Sequence, residues 1–295
     1  MSDLPRVAAL WIGGSLTWLE QLCLTSFVQM GHPTVLYTYG AVGGVPEGVE
    51  VRDGAEIMPD PKVYTHERSG SVALFSDIFR FHLMVRSPGT VWIDTDVYCR
   101  RPLDLGPHVF GFETDDARLN GAILALPPDS PGLKLLLDLT ADPYQIPEFY
   151  EGRGRARMEA AAAAGDPIHA SAMPWGVWGP HGVTWALHKS GEVEHAQPRA
   201  VLYPVRFTDR ELFFRRPMLV EKMMEKDTRT VHIWGRIKRI AAKRHGGLLP
   251  ANCWLDHRLK EFGIDPEAAP VITHGKFDYS ERQQAAADVD TGGES

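Results

Sequence analysis

One short stretch decides the predicted fold of this chain: Trp92-Ile93-Asp94-Thr95-Asp96-Val97. The apolar residues that lead into it, from Thr90 onward, are typical of a short strand that is buried on both faces. In open α/β sheets, ligands bind beyond the carboxyl ends of the strands, which is where Asp94 and Asp96 stand. The stretch therefore predicts an α/β fold with a functional site at one edge of its sheet.

The two carboxylates of this stretch predict the chemistry of that site. Asp94 and Asp96 are two positions apart, so their side chains point the same way if the backbone is extended. Unpaired carboxylates at close range repel each other, and a divalent cation removes that conflict. Carboxylate oxygens suit Mg²⁺ or Mn²⁺. The alternative is a polar turn after a strand, where Asp is common.

The residues near the start of the chain have the pattern of a strand, a helix and a second strand. Residues 7–12 are continuously apolar, Gly13-Gly14 interrupts them, and Thr17 with Glu20 has the spacing of a capping box at a helix start. Residues 34–39 are β-branched and aromatic, which favours a strand. A short helix between two buried strands implies parallel pairing and a right-handed crossover.

Further segments extend this pattern. Strands are predicted at residues 49–52, 109–112, 122–126 and 231–234, and helices at residues 71–85, 133–139 and 151–165. The last of these helices is rich in Ala and Arg, so we expect it to be exposed.

Length and composition exclude several classes of protein. The 295 residues are 44% apolar and 23% charged, which excludes collagen-like, coiled-coil and largely disordered chains. A net charge of −7 argues against a general nucleic-acid binder. Three scattered cysteines are too few for a disulfide framework or a zinc site, so a reducing compartment is expected. No stretch approaches the about 18 apolar residues of a membrane-spanning helix, and we expect a cytoplasmic protein.

A charged pair lies inside the apolar helix predicted just before the decisive strand. Asp77 and Arg80 are three positions apart in Ser76-Asp77-Ile78-Phe79-Arg80, so they share one face of that helix. An Arg can bind phosphate through two parallel hydrogen bonds, and a nearby carboxylate can orient it or accept sugar hydroxyls. The alternative is an intrahelical ion pair. The apolar character of this helix disfavours the ion-pair interpretation, because burial of unpaired charge is costly.

Together these motifs resemble those of a known family. Ser-Asp-x-x-Arg on a helix, an apolar strand that ends in Asp-x-Asp, and the opening Leu10-Trp11-Ile12-Gly13-Gly14 are similar to nucleotide-sugar-dependent glycosyltransferases with a GT-A fold. The group concerned is the DxD sugar-binding group, with yeast initiation-type mannosyltransferases, α-1,4-glycosyltransferases and the large clostridial glucosylating toxins. The resemblance covers roughly residues 7–125. It implies a Rossmann-like fold with a central, mostly parallel sheet, as one domain over residues 1–279. Residues 280–295 lack large apolar side chains and are expected to be a disordered tail.

The resemblance also implies roles for individual residues. Asp94 and Asp96 would hold the metal and the nucleotide diphosphate, with Asp94 also near the ribose. His232 would complete the metal shell, which favours Mn²⁺ over Mg²⁺; a core or surface histidine is the alternative. Asp77 and Arg80 would contact the donor sugar, and Arg80 would add charge stabilisation near the leaving group. Asp94, Asp96 and Arg80 are thus the predicted catalytic residues.

Aromatic residues are the other candidates for ligand contacts. Trp11 and Gly13, in the Trp-x-Gly strand end, would line the pocket for the nucleotide base, with Tyr39 as a neighbour. The weaker candidates on the acceptor side are Glu113, Asn120, Trp175 and Trp178. Loop aromatic residues more often fill a gap in the core, which is the alternative for the two tryptophans.

The resemblance implies a metal-dependent hexosyltransferase. It would move a sugar from a UDP- or GDP-sugar to a glycan, polysaccharide or lipid-linked acceptor, with retention of anomeric configuration. A haloacid-dehalogenase-like phosphatase also carries Asp-x-Asp at a strand end, but that family usually continues with Gly-Thr, where this chain has Val97-Tyr98. A non-catalytic sugar-nucleotide-binding protein would share every motif. Both stay as alternatives.

A basic segment predicts one further partner. Between Arg199 and His245, thirteen Lys and Arg stand against five Asp and Glu, and residues 236–245 are the most basic part. A basic, partly amphipathic helix can lie on an anionic membrane, so peripheral contact at the inner membrane face is predicted through residues 236–245. A solvated basic face is the alternative.

Overall fold

The computed structural model describes residues 4–59, 61, 63–68, 70–115 and 117–272. The tail predicted for residues 280–295 lies outside the described residues. The described chain contains the strands β1 (Val7–Trp11), β2 (Thr34–Thr38), β3 (Val49–Asp53), β4 (Val91–Ile93), β5 (Val97–Cys99), β6 (Val109–Phe112), β7 (Leu119–Ala125) and β8 (Thr230–His232).

The central sheet has six strands in the order β3-β2-β1-β4-β7-β6. β3, β2, β1 and β4 pair in parallel, whereas β7 runs antiparallel to both of its neighbours, β4 and β6. The predicted α/β class with a mostly parallel central sheet is therefore confirmed. Because β7 reverses direction on both sides, β6 runs parallel to β4. The carboxyl ends of β1 to β4 and of β6 consequently lie along one edge of the sheet.

The helices surround this sheet and follow it in the chain. They are α1 (Trp18–Gln29), α2 (Ala73–Arg86), α3 (Pro131–Ala141), α4 (Gly152–Ala163), α5 (Pro180–Ser190), α6 (Arg199–Leu202), α7 (Pro217–Glu221), α8 (Ile237–His245) and α9 (Trp254–Glu261), and the 3-10 turns are Gly54–Glu56, Ala170–Ala172, Glu192–His195 and Phe207–Phe214. α4 is mostly exposed, as its composition predicted, with Met158 buried and Arg155 and Ala161 half-buried.

The start of α1 is held by the predicted capping box. The backbone N–H of Thr17 donates to Glu20 Oε2 at 2.9 Å, and the Thr17 hydroxyl donates to the same oxygen. Glu20 is buried, and Lys238 Nζ of α8 donates to its other carboxylate oxygen. The same side chain therefore caps α1 and joins it to α8.

Side chains at alternate positions of the central strands enter two apolar clusters. Ala8 and Leu10 pack with residues of α2, α3 and α5, whereas Val7 and Ala9 pack with Phe27 of α1. The sheet thus lies between two helical layers, which is the arrangement that buries both faces of parallel strands. The cysteines are free and buried, in line with the prediction of no disulfide framework; they are Cys23, Cys99 and Cys253.

A second, two-stranded sheet was not predicted in full. β8 was expected from the apolar run at residues 231–234, but β5, which follows the Asp-x-Asp stretch directly, was not. β5 and β8 pair antiparallel, with Val97 opposite His232 and Cys99 opposite Thr230. This pairing brings the late part of the chain to the carboxyl end of β4.

The basic helix α8 corrects one prediction about residues 236–245. Its apolar side is not free, because Ile237 and Ala241 are buried and Ile240 packs against the same cluster, with residues of α9. Insertion of an amphipathic face into a membrane is therefore wrong for this helix, and only its outward basic side chains are left to contact an anionic surface. Among the described residues, no helix is long and apolar enough to cross a membrane.

Candidate functional site

Polar side chains collect at the carboxyl edge of the central sheet. Asp94 follows β4, and its backbone N–H extends the strand ladder by donating to the Ala122 carbonyl at 2.7 Å. Glu113 follows β6, and Asn120 lies in β7 opposite Gly111. Because β4 and β6 are parallel, the residues that follow them emerge on the same side. The site is therefore built on strands rather than on mobile loops.

His232 reaches this edge through the β5–β8 sheet. Since His232 lies opposite Val97, its imidazole comes to lie beside Asp96. One ligand atom from each of Asp94, Asp96 and His232 lies within 4.8 Å of the other two. The side chains are 32%, 19% and 7% exposed, respectively. The two carboxylates can thus be reached from solvent, while the imidazole is buried beneath them.

Asp94 is oriented by two donors on a single oxygen. Trp92 Nε1 donates to Asp94 Oδ1 at 2.8 Å, and Arg80 Nη2 lies 3.4 Å from the same atom. Within the described part of the chain, no hydrogen bond is made to Oδ2. Desolvation by the surrounding protein raises the pKa of Asp94; Arg80 opposes the rise, and the charge of Asp96 adds to it.

Of the two carboxylates, Asp96 is the one whose ionised form is stabilised. Desolvation by itself would raise its pKa, but His232 and the hydrogen bond from Gly235 outweigh it, so the pKa of Asp96 is lowered. The Gly235 N–H donates to Asp96 Oδ2 at 2.5 Å, and His232 Nε2 lies 3.3 Å from Oδ1. A Cβ at position 235 would lie 3.2 Å from Asp96 Oδ2, which is tighter than most Cβ contacts. A glycine at this position therefore leaves room for the carboxylate.

The imidazole of His232 has one nitrogen without a protein partner. Its ring stacks on Trp234, with centroids 3.9 Å apart, and its Nδ1 is buried with no hydrogen bond among the described residues. Burial alone would lower the pKa of His232, but the charge and hydrogen bond of Asp96 raise it above the ordinary value. Trp234 has a positive φ of 64°, a left-handed conformation that is a genuine outlier for a bulky residue. Such outliers often occur beside functional sites.

The residues present fit a divalent cation. Two carboxylates and an imidazole form a mixed oxygen and nitrogen donor set, and a buried imidazole nitrogen without a partner is rare in a folded protein. The pKa of Asp94 is raised mainly by desolvation, and the charge of Asp96 adds to the rise while Arg80 and His232 oppose it. A bound cation would satisfy both carboxylates and the imidazole together.

Arg80 is placed differently from the sequence prediction. Its side chain is only 6% exposed, and each part of its guanidinium faces a protein oxygen. Nη1 donates to the Gly121 carbonyl at 2.6 Å, Nε donates to the Ser76 carbonyl at 3.3 Å, and Nη2 lies 3.0 Å from Asp77 Oδ1. Burial raises the pKa of Asp77 to about 7, although Arg80 opposes the rise. Each of the three guanidinium nitrogens thus already contacts a protein oxygen. This arrangement favours a positioning role for Arg80 over a direct contact with a phosphate.

The predicted base pocket begins at the end of β1. Trp11 Nε1 donates to the Gly14 carbonyl at 2.9 Å, and Gly13, at φ 143°, has a backbone conformation that favours glycine. Lys238 Nζ lies 5.2 Å from the centroid of the Trp11 ring. Tyr39 stands apart as a packing residue, because its hydroxyl lies 3.1 Å from the Gly54 carbonyl and 3.0 Å from the Met58 carbonyl and can donate its one proton to either of them.

The acceptor-side candidates separate into different environments. Asn120 is buried, and its Nδ2 donates to Glu113 Oε2 at 3.1 Å. Trp175 is 55% exposed, whereas Trp178 is 2% exposed and packs in an apolar cluster with Ile78 and Leu139. The prediction that Trp178 forms a ligand-binding wall is therefore wrong, because its ring fills the core.

Glu113, which sequence analysis gave only as a weak candidate of the acceptor-side segment, and two residues that it missed, Gly235 and Lys238, also belong to this region. Glu113 is buried and accepts from Asn120 and Arg118. Gly235 donates its N–H to Asp96, and Lys238 lies close enough for its charge to lower the pKa of Asp96. For Glu113 the signal was its position directly after a predicted strand. For Gly235 and Lys238 it was their position just after His232. Lys238 lies in residues 236–245, for which contact with an anionic membrane, or else a solvated basic face, was predicted.

Comparisons with known proteins find structural neighbours of this chain but assign it to no family. No family model matches the chain, and no curated protein matches it. Among solved structures, the PaToxG glycosyltransferase is 14% identical, with 65% of this chain and 72% of that chain covered and a TM-score of 0.41. The galactosyltransferase LgtC in complex with donor and acceptor sugar analogues is 11% identical, with 94% and 99% covered and a TM-score of 0.36. An active-site mutant of LgtC is 11% identical, with 91% and 98% covered and a TM-score of 0.35. These structural neighbours are glycosyltransferases, at TM-scores too low to assign this chain to their family.

Proposed function

We propose that this chain is a metal-dependent glycosyltransferase of the GT-A type that uses a UDP- or GDP-sugar. The observation that carries the proposal is the convergence of Asp94, Asp96 and His232 at the carboxyl end of β4. A parallel α/β sheet binds its ligands at this edge. The donor set suits a cation that can bind a diphosphate, and a cationic side chain, Lys238, lies beside it.

The metal would be held by the two carboxylates and the imidazole. Oxygen ligands suit Mg²⁺ and Mn²⁺ alike, and the imidazole shifts the preference towards Mn²⁺. When bound, such a cation supplies positive charge to the departing nucleoside diphosphate. Ser76, Asp77 and Gly121 hold Arg80, which in turn contacts Oδ1 of Asp94, so that Oδ2 would be available to a cation.

Lys238 would provide the protein's own charge for the diphosphate. Its Nζ is held by Glu20 and lies above the Trp11 ring, and its charge acts on Asp96. A diphosphate between the base pocket at Trp11 and the carboxylates would pass this ammonium group. Because Glu20 and the fold of α1 fix the side chain, little rearrangement is needed when the anion binds.

The remaining parts of the proposal follow the resemblance of the sequence motifs. Trp11 and Gly13 would line the base pocket, and Asp77 would contact the donor sugar at the side of Asp94. The acceptor would be a glycan, polysaccharide or lipid-linked saccharide, and the anomeric configuration would be retained. We propose that one domain over residues 1–279 performs this reaction in the cytoplasm.

A thermal-shift screen tests the proposed donor class. Binding to the folded state raises the melting temperature by mass action, so a ligand at 100 times its Kd adds about 2.7 kcal/mol of stability. UDP- and GDP-sugars are tested with Mn²⁺ and with EDTA. A Mn²⁺-dependent shift with one nucleotide supports the proposal. No shift with any of them, together with hydrolysis of p-nitrophenyl phosphate, would favour the phosphatase alternative.

A further inference from the structure

A cleft of about 640 Å³ opens along the outer side of α5. His181, Thr184, Trp185 and His188 line it, and their spacing of three and four positions places them on one face of that helix. Arg118, from the connection between β6 and β7, also lines the cleft. None of the residues assigned above to the metal or the donor lines it.

Aromatic rings form the floor of this cleft. Phe149 and Trp185 have ring centroids 6.0 Å apart, and the His181 ring lies nearly parallel to Phe149, with an interplanar angle of 17°. Small-molecule sites are mostly apolar and aromatic surfaces with a few polar groups that set orientation. The rings offer flat apolar faces, and the imidazoles of His181 and His188 offer hydrogen-bonding edges. A ring with one apolar face and several hydroxyl groups has the matching chemistry.

The formal charges around the cleft are paired. Arg118 Nη2 lies 2.7 Å from Glu113 Oε1, and Lys189 Nζ lies 2.5 Å from Glu148 Oε2. Each cation that lines the cleft therefore has its own carboxylate partner. This balance disfavours a ligand with a net negative charge and favours a neutral one.

Two contacts connect the elements that line the cleft with the surroundings of Asp94, Asp96 and His232. Arg118 and Asn120 both donate to Glu113, which directly follows β6 at the edge of the sheet where Asp94 follows β4. At the start of α5, a Cβ on Gly179 would lie 3.0 Å from Asp77 Oδ2, so the helix begins against the carboxylate that pairs with Arg80. The elements that line the cleft therefore contact Glu113 and Asp77, two residues around the carboxyl edge of the sheet.

We propose that this cleft binds a neutral saccharide and that it is the acceptor subsite. The acceptor role rests on the proposed glycosyl transfer, whereas saccharide binding does not. In the transfer, the acceptor hydroxyl oxygen bonds to the anomeric carbon of the donor, and the bond from that carbon to the diphosphate oxygen breaks. The hydroxyl proton leaves with the nucleoside diphosphate. The cleft positions the acceptor ring and takes no part in the bond changes.

The test measures saccharide binding in EDTA and without nucleotide, so it does not depend on the donor site. Maltose, lactose and cellobiose are titrated calorimetrically into the wild type, and glucose 6-phosphate and the peptide Gly-Tyr-Gly serve as anionic and peptide probes. We expect at least one disaccharide to bind. Trp185→Ala should weaken that binding by about tenfold, which is the upper range of an aromatic contact. His188→Ala, an exposed change that leaves packing intact, should weaken it by about threefold.

Tyr144→Ala is the matched control, because Tyr144 is an exposed aromatic residue outside the cleft and should bind the disaccharide as the wild type does. Circular dichroism shows whether Trp185→Ala is folded, and His188→Ala carries the test if it is not. Binding of no disaccharide, equal binding by wild type and both cleft variants, or preferential binding of the phosphate or the peptide overturns the proposal. If the protein bound a disaccharide but no UDP- or GDP-sugar, the saccharide site would be supported and the proposed glycosyl transfer would be contradicted.

Discussion

His232 Nε2 lies 3.3 Å from Asp96 Oδ1, although the two residues belong to distant parts of the sequence. The β5–β8 pairing produces this contact, because it places His232 opposite the residue that follows Asp96. An imidazole in this position can complete a cation site only if β8 is held in register. The late strand is therefore part of the site and not only of the core.

Replacement of His232 should weaken Mn²⁺ binding. His232→Ala removes the nitrogen donor, and we expect a loss in Mn²⁺ affinity of more than about tenfold, since even supporting residues of metal sites contribute that much. Calorimetric titration with Mn²⁺ measures the affinity. His257→Ala, an exposed histidine on α9, is the control and should bind Mn²⁺ as the wild type does. Equal affinities in all three proteins would remove His232 from the site.

Removal of Arg80 should destabilise the fold as well as the site. Arg80→Ala leaves Asp77 buried without its partner, and loss of one member of a buried ion pair costs about 3–5 kcal/mol. Urea unfolding measures this loss. Donor affinity should fall more in Arg80→Ala than in Asp77→Ala, because only Arg80 also contacts Asp94.

Asp77→Asn is the control for that experiment. It removes the charge of Asp77 and keeps the side-chain volume, and Arg80 stays bonded to Gly121 and Ser76 and keeps Asp94 as a charged partner, so we expect smaller losses of stability and donor affinity than in Arg80→Ala. Unchanged stability and donor affinity in Arg80→Ala would contradict the positioning role.

A hydroxyl behind the site should matter for stability. Tyr203 is buried; its hydroxyl accepts from the Ile123 N–H at 3.1 Å and donates to the Asn120 carbonyl at 3.3 Å. Tyr203→Phe removes both of these bonds to β7 and takes the hydroxyl partner from the buried Ile123 N–H, and we expect a loss of about 1–3 kcal/mol in the free energy of unfolding. Tyr150→Phe is the matched control, because the Tyr150 hydroxyl is buried with no hydrogen-bond partner among the described residues. Equal losses in the two variants would contradict this assignment.

Acid should weaken the fold through His32. Leu103 donates its N–H to His32 Nε2 at 3.0 Å, and His32 Nδ1 contacts the Pro5 carbonyl at 2.9 Å, so the buried ring is bonded as the neutral form. Burial lowers the pKa of His32 below its ordinary value of 6.5, although the Pro5 carbonyl and Asp104 oppose the shift. Below pH 6.5 the unfolded chain binds the proton first, so the free energy of unfolding decreases as the pH falls towards the lowered pKa.

Urea unfolding at several pH values from about 7 to about 5 checks this expectation. The His32→Gln variant cannot take up that proton, so its stability should depend less on pH than that of the wild type. Parallel pH profiles for the two proteins would show that His32 does not contribute.

The central strands could be predicted because their signals are local. Residues 7–12 and 34–39 are continuously apolar or β-branched, and Thr17 with Glu20 marks the helix start by a contact of only one helical turn. The observed β1 and β2 lie within those segments, and α1 begins at Trp18, directly after Thr17. Asp94 and Asp96 were identified for the same reason, since a strand end and a two-residue spacing are properties of neighbouring residues.

The rest of the site depends on contacts between distant segments. β5 has only three residues, too few for a periodic pattern, and its register with β8 decides where His232 lies. The Arg80 side chain was expected to face a ligand, but its donors are taken by carbonyl groups whose positions depend on the packing of α2 against β7. The predictions of a ligand-binding wall at Trp178 and of a membrane-facing apolar side on α8 failed for the same reason. The sequence does not show which apolar surface of the protein covers these residues.

Hydrolysis of a UDP- or GDP-sugar by the wild type and by Asp96→Asn, with Mn²⁺ and with EDTA, tests the account most directly. The substitution keeps the side-chain volume and removes the charge that we place on the metal. We predict Mn²⁺-dependent release of the sugar by the wild type, and loss of that activity in Asp96→Asn without loss of the folded state in circular dichroism. Full activity of Asp96→Asn with Mn²⁺, or hydrolysis by the wild type that is equal in Mn²⁺ and in EDTA, would contradict it.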